Sequence, residues 1–191
     1  MRFERKALFR WSGSGLWLHW CGARLLACRL FAQRSTDHRG TPAAPGLVAT
    51  VLTDEQLEVL RLRAPEEPPS TCCGVCYRVA AADVESVISK LDFREKGGYT
   101  RDIVEVTPTE AGRSVVRALL YTANPDNPNF SPPTEMEATA SVIATASGPS
   151  GSNAEYLIRL ASFLESVGER DEHVFALRRR VRMIQNVGAI N

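Results

Sequence analysis

Residues 83–107 read D-V-E-S-V-I-S-K-L-D-F-R-E-K-G-G-Y-T-R-D-I-V-E-V-T. Two periods meet in this stretch. Val84, Val87, Ile88 and Leu91 stand at i, i+3, i+4 and i+7, the spacing of one buried helix face. Asp83 suits the N-cap, because a short carboxylate can accept from the orphan N–H groups of the first turn. Gly97-Gly98 breaks the helix. Residues 103–107 then alternate, as a half-buried strand does.

The helix-then-strand unit does not repeat. Upstream, residues 47–52 and 74–79 are strand candidates, and Thr53 with Gln56 forms a T-x-x-Q capping box for a short helix. Residues 114–122 are another strand, after a turn at 109–113. Residues 124–133 hold four prolines and three asparagines, so an ordered turn is the most they can form. Helices close the chain. One covers 135–146. A second starts at the S-x-x-E box of Ser152 and Glu155 and runs to about 167, with Gly168 at C′. Asp171 caps a third, to about 185. Pro- and Gly-rich loops fill 40–46 and 64–70. Strands cluster early and helices late, without a βαβ rhythm, which gives an α+β class.

The chain has 191 residues, 44% hydrophobic and 24% charged, enough for one self-sufficient domain or a domain with an extension. Lys+Arg is 23 and Asp+Glu 22, a net charge of +1. That balance excludes a strongly basic nucleic-acid binder and an acidic tail protein. Arg178 to Arg182 reads as a solvated helix face, so no nucleic-acid partner is expected. Five cysteines, Cys21, Cys28, Cys72, Cys73 and Cys76, make a poor disulfide framework and read as reduced thiols of a cytoplasmic chain. Cys73 and Cys76 have CxxC spacing, but a zinc site would want a second pair. The residues after them look like a strand, so buried thiols and no metal are expected. Residues 15–31 are apolar in feel, but His19, Arg24 and Arg29 interrupt them, which argues against a membrane span. The first 35 residues are arginine-rich and mildly resemble a presequence; they are read as part of the fold. Residues 148–151 lack the G-K-[ST] ending of a phosphate loop and read as an interhelical turn.

Five short strings carry a resemblance. They are Ser35-Thr36-Asp37-His38-Arg39-Gly40-Thr41-Pro42, Leu91-Asp92-Phe93-Arg94-Glu95-Lys96-Gly97-Gly98-Tyr99, Tyr121-Thr122-Ala123-Asn124-Pro125-Asp126-Asn127-Pro128-Asn129-Phe130, Ala146-Ser147-Gly148-Pro149-Ser150-Gly151-Ser152-Asn153 and Asp171-Glu172-His173. In this order they resemble the ChaC-type γ-glutamylcyclotransferases. The resemblance covers about residues 22–181. It implies a small mixed β-barrel surrounded by helices, and cleavage of glutathione into 5-oxoproline and cysteinylglycine without a cofactor. The expected divisions are a divergent segment 1–21, the domain 22–185 and a tail 186–191.

In that reaction the α-amine of the γ-glutamyl group attacks its own γ-carbonyl. A base must take the ammonium proton and an acid must protonate the leaving amine. Glu95 sits where the family keeps its catalytic glutamate, so the resemblance implies that it does both. By itself the stretch reads as three solvated charges, Arg94, Glu95 and Lys96. Asp37, His38 and Arg39 read first as a hydrogen-bonded turn with an internal Asp–Arg pair; Arg39 can also meet a substrate carboxylate. Tyr121 ends a strand and either aims its hydroxyl into a pocket or is a partly buried structural tyrosine.

One departure stands out. The family opens with a strand ending in a Tyr-Gly-Ser-Leu loop that binds the γ-glutamyl group through backbone N–H donors. The nearest string here is Ser12-Gly13-Ser14-Gly15-Leu16-Trp17, with serine at the tyrosine position. Residues 1–11 look charged rather than strand-like, so an incomplete first barrel strand is expected. Three readings follow: a wrong first exon or start, a catalytically impaired relative that binds glutathione, or a substitute loop in which Gly13 and Ser14 hold substrate.

Overall fold

The structure is a computed structural model that describes residues 7–10, 18–62, 70–95 and 98–188. In chain order the elements are β1 (Ala7–Arg10), β2 (Leu18–Leu26), β3 (Cys28–Ser35), β4 (Gly46–Leu52), α1 (Asp54–Val59), β5 (Thr71–Arg78), α2 (Val84–Glu95), β6 (Tyr99–Pro108), β7 (Val116–Ala123), α3 (Met136–Thr145), β8 (Ser147–Gly148), β9 (Gly151–Ser152), α4 (Asn153–Ser166) and α5 (Glu172–Gly188). They fall into two compact units, residues 1–28 with 51–127, and residues 29–50 with 128–191.

The first unit is a closed five-stranded barrel in the order β1-β5-β2-β6-β7. Four of its seams are antiparallel; β1 closes it by pairing parallel with β7, Ala7 opposite Ala118 and Leu8 opposite Leu119. Barrel diameter grows with strand number, so a five-stranded interior is narrow. The core is accordingly small: Ala23, Ala27, Cys72, Cys76 and Ala118 are buried with Leu25, Val106 and Leu120. The cysteines serve as compact apolar filling. Alternation along β7 sends Ala118 and Leu120 inward. Leu119 and Tyr121 point the other way, against Leu91, Val84 and Val87 of α2.

Three expectations change here. Residues 7–10 are a strand, because β5 and β7 supply hydrogen-bond partners on both sides that local composition does not reveal. The apolar segment 15–31 contributes β2 and the start of β3. Asp83 is not an N-cap. It lies in a 3-10 turn, Ala81–Asp83, that feeds directly into α2, with Ala80 in the cap position. The helix also runs one turn further, to Glu95. The α+β class and the small mixed barrel with helices are as expected. So is the capping box of α1, where Thr53 and Gln56 bond reciprocally.

In the second unit β3 and β4 form a two-stranded sheet and α3, α4 and α5 pack on one another. Ile143, Leu157, Leu160, Leu164, Leu177 and Val181 are fully buried there. Backbone meets backbone closely. A Cβ on Gly40 would lie 2.0 Å from the Gly46 nitrogen, and one on Gly148 would lie 2.3 Å from the His38 carbonyl oxygen. Ser150 N–H donates to that carbonyl at 2.9 Å. Asn153, with no exposed surface, clamps the same corner. Its Oδ1 accepts from Leu47 N–H at 2.6 Å and its Nδ2 donates to the Leu47 carbonyl at 2.7 Å. At the far end Asp171 caps α5 by accepting from Val174 N–H at 3.1 Å, and its second oxygen pairs with buried Arg29 at 2.5 Å.

Truncating Asn153 strands two buried backbone groups of Leu47. Asn153→Ala should therefore lower stability by about 2–4 kcal/mol in urea unfolding. Ser150→Ala, at an exposed hydroxyl, should stay within about 0.5 kcal/mol of wild type.

Candidate functional site

Glu95 is the last residue of α2. Its side chain keeps 19% exposure, enough to meet a small molecule while mostly shielded. Its Oε1 accepts from Arg94 Nε at 2.9 Å and also from Arg94 Nη2. The last turn of a helix leaves carbonyls without intrahelical partners and frays unless something holds it. Here contacts hold it on both sides.

Before Glu95 stands Asp92, three residues earlier and so on the same face of α2. Asp92 Oδ1 accepts from the Tyr121 hydroxyl at 2.6 Å, and Oδ2 accepts from Arg101 Nη1 at 3.1 Å. Arg101 and Tyr121 are directly opposed on β6 and β7, so their side chains leave one face of the sheet together. The carboxylate takes one bond from each.

Three residues after Glu95 stands Gly98. Its carbonyl accepts from Asn124 N–H and from Asn127 Nδ2, both at 3.0 Å. Asn127 Nδ2 also donates to the Asn124 carbonyl at 2.9 Å. Gly98 has φ +116°, and a Cβ there would lie 2.1 Å from the Asn127 side-chain carbon. Only glycine satisfies both conditions.

Tyr121 has a pKa held well above the ordinary phenol range. Burial is the main cause, followed by the hydrogen bond to Asp92 and the negative charge of Asp92. Arg101 partly offsets these, and the charge of Glu95 adds to them. Tyr121 is thus a neutral donor committed to Asp92.

The expected site residues separate. Glu95 and Tyr121 lie in one cluster, joined through Asp92. Arg39 belongs to the other unit. Its Nη1 donates to Glu155 Oε2 at 2.9 Å and to the Ser152 carbonyl at 3.1 Å, and it lies over the Tyr156 ring. Glu155, rather than Asp37, is its ion-pair partner, and Arg159 adds a second cation at 2.7 Å. Those two arginines hold the Glu155 carboxyl below the usual range, Arg39 first. His38 Nδ1 lies 3.2 Å from Ser150 Oγ at the surface. Gly13 and Ser14 lie outside the described residues. Cys73 and Cys76 are buried on β5, as the strand-like reading requires. No described helix is long and apolar enough to cross a membrane.

Sequence reasoning missed Asp92, Arg101 and Asn127. Asp92 carried a signal, its i, i+3 spacing to Glu95. Arg101 carried none, because its role depends on the β6–β7 register.

A family model described as "ChaC-like protein" matches residues 22–184. The chain is 36% identical over 153 residues to human glutathione-specific gamma-glutamylcyclotransferase 1, a match covering 78% of this chain and 63% of the human one. It is 36% identical over 162 residues to Arabidopsis thaliana gamma-glutamylcyclotransferase 2-3, covering 82% and 75%. Among solved structures, a yeast gamma-glutamyl cyclotransferase specific to glutathione superposes with a TM-score of 0.82 at 29% identity, covering 94% of this chain and 96% of that one.

The buried bond from Tyr121 to Asp92 has a spectroscopic consequence. At a pH of about 10, where an ordinary phenol is half ionised, wild type and Tyr121→Phe should show equal phenolate absorbance. A deficit in the variant at that pH would mean that Tyr121 titrates freely and the bond is absent.

Proposed function

The chain belongs to the ChaC-like protein family, and from that premise we propose that it is a γ-glutamylcyclotransferase cleaving glutathione to 5-oxoproline and cysteinylglycine. The observation that carries the proposal is the Glu95 carboxylate, part-shielded at the end of α2, within a string that resembles the family's glutamate motif. Relatives whose names state this activity support it.

The proton balance suits one carboxylate. The substrate's α-ammonium gives up two protons as it becomes a ring amide N–H. The departing cysteinylglycine nitrogen gains two as it becomes an ammonium. Glu95 takes the first proton, which frees the amine lone pair to attack the γ-carbonyl carbon. As the C–N bond to the dipeptide breaks, Glu95 returns a proton to the leaving nitrogen. The second proton follows the same route. Water is not consumed. Such acid–base assistance contributes about 10²–10⁴-fold, and holding amine against carbonyl supplies much of the rest. We assign Gly13 and Ser14 to the γ-glutamyl group as backbone donors, and place the chain in the cytoplasm on the reading of its cysteines as reduced thiols.

Glu95→Gln keeps the shape and hydrogen-bonding capacity but cannot carry a proton. It should cut 5-oxoproline release from glutathione by at least about 10²-fold, with the urea midpoint unchanged. Turnover at the wild-type rate would remove Glu95 from the mechanism. Wild-type protein that binds glutathione without releasing 5-oxoproline would make the chain a binding protein instead.

A further inference from the structure

We infer that Asp92 is a positioning residue for Glu95: by accepting from Tyr121 on β7 and Arg101 on β6, it fixes the last turn of α2, and with it the carboxylate, against the sheet. The inference rests on the assignment of Glu95 as the acid–base group, and adds a role for three residues that the reaction chemistry itself does not call for.

Asp92 and Glu95 are three residues apart, so the position of one constrains the other. Asp92 is held at both oxygens, at 2.6 Å and 3.1 Å, by donors from two adjacent strands. Those donors are cross-strand partners, so any rotation or sliding of α2 lengthens at least one bond. The apolar contact beneath is thin. Of the apolar α2 side chains only Leu91 is buried, with Val84, Val87 and Ile88 partly so. Apolar packing tolerates small sliding, whereas hydrogen bonds are directional. The polar contacts therefore carry most of the positional precision. They also settle a conflict of charge. Two carboxylates at i, i+3 repel, and Arg101 beside Asp92, with Arg94 beside Glu95, gives each its own cation. Tyr121 remains a neutral phenol, so its hydroxyl keeps the proton it donates to Asp92.

A residue acting through geometry affects the chemical step more than ground-state binding. A misplacement of the reacting group by an ångström can cost about 10²-fold in rate. Asp92→Ala and Tyr121→Phe should each lower kcat for 5-oxoproline release by about 10–100-fold, with KM for glutathione within about twofold of wild type. The double variant should be no worse than the poorer single one, because both remove the same contact. Asp92→Asn keeps an acceptor for the Tyr121 hydroxyl and should recover part of the loss. Hydrogen exchange should speed up at the amides of residues 92–95 in Asp92→Ala, while exchange in β6 and β7 stays as in wild type. Wild-type kcat in Asp92→Ala, alongside an inactive Glu95→Gln, overturns the inference and leaves the assignment of Glu95 standing. If Glu95→Gln turns over normally, the assignment itself falls. Unchanged exchange at residues 92–95 in Asp92→Ala overturns the brace even in a chain without turnover.

Discussion

A helix terminus is a poor place to hold a side chain still, and Glu95 is a helix terminus. The unit around it answers that constraint. β6 and β7 present Arg101 and Tyr121 on one face, and Asp92 takes a bond from each. Past the helix, Gly98 adopts a backbone angle open to glycine and presents its carbonyl to Asn124 and Asn127. The chain is thus tied down before and after Glu95 by groups on the sheet and on the loop that leaves it. The barrel makes this possible. Its small-residue core of alanine and cysteine lets five strands close, and closure fixes the strand ends from which these groups project.

The same logic explains what the recognisable strings do. Two of them meet in the first unit, where the asparagine loop after Tyr121 grips the glycine after Glu95. Two others meet in the second, where Gly40 and Gly148 bring backbone against backbone and Asn153 clamps Leu47. Glycines and buried amides are required at such places because nothing larger, and nothing without paired donor and acceptor, fits. Arg39 follows suit: its guanidinium ties the turn after β3 to Glu155 and the Ser152 carbonyl. A string can be diagnostic of a fold because most of its residues hold backbone in place.

Local signals were legible where the responsible physics is local. The Thr53–Gln56 capping box, the Ser152 cap on the Glu155 N–H, the C′ glycine at 168 and the Asp171 cap are contacts within a few residues. The 3.6 period of α2 and the alternation of β6 were legible for the same reason. What escaped was non-local. Ala7–Arg10 is a strand by virtue of its neighbours on β5 and β7. Two long strands lay unread in an arginine-interrupted apolar run. In one, Arg29 is buried against Asp171, 142 residues away. Glu95 itself became legible through its string, not through its charge.

The chemistry makes this distribution reasonable. Under the proposed function an intramolecular acyl transfer brings its own nucleophile, and that reaction needs no activated serine or cysteine. The task proposed for this chain then reduces to folding the γ-glutamyl chain back on itself and moving two protons between nitrogens that end up close together. Both depend on where one carboxylate sits relative to a short-lived geometry. A site of this kind should invest in rigid support around a single acid–base group rather than in a constellation of reactive groups. The polar contacts around Glu95 have that character: a neutral phenol, a compensated carboxylate and two asparagines, none suited to attack a carbonyl and all suited to hold a helix end in place.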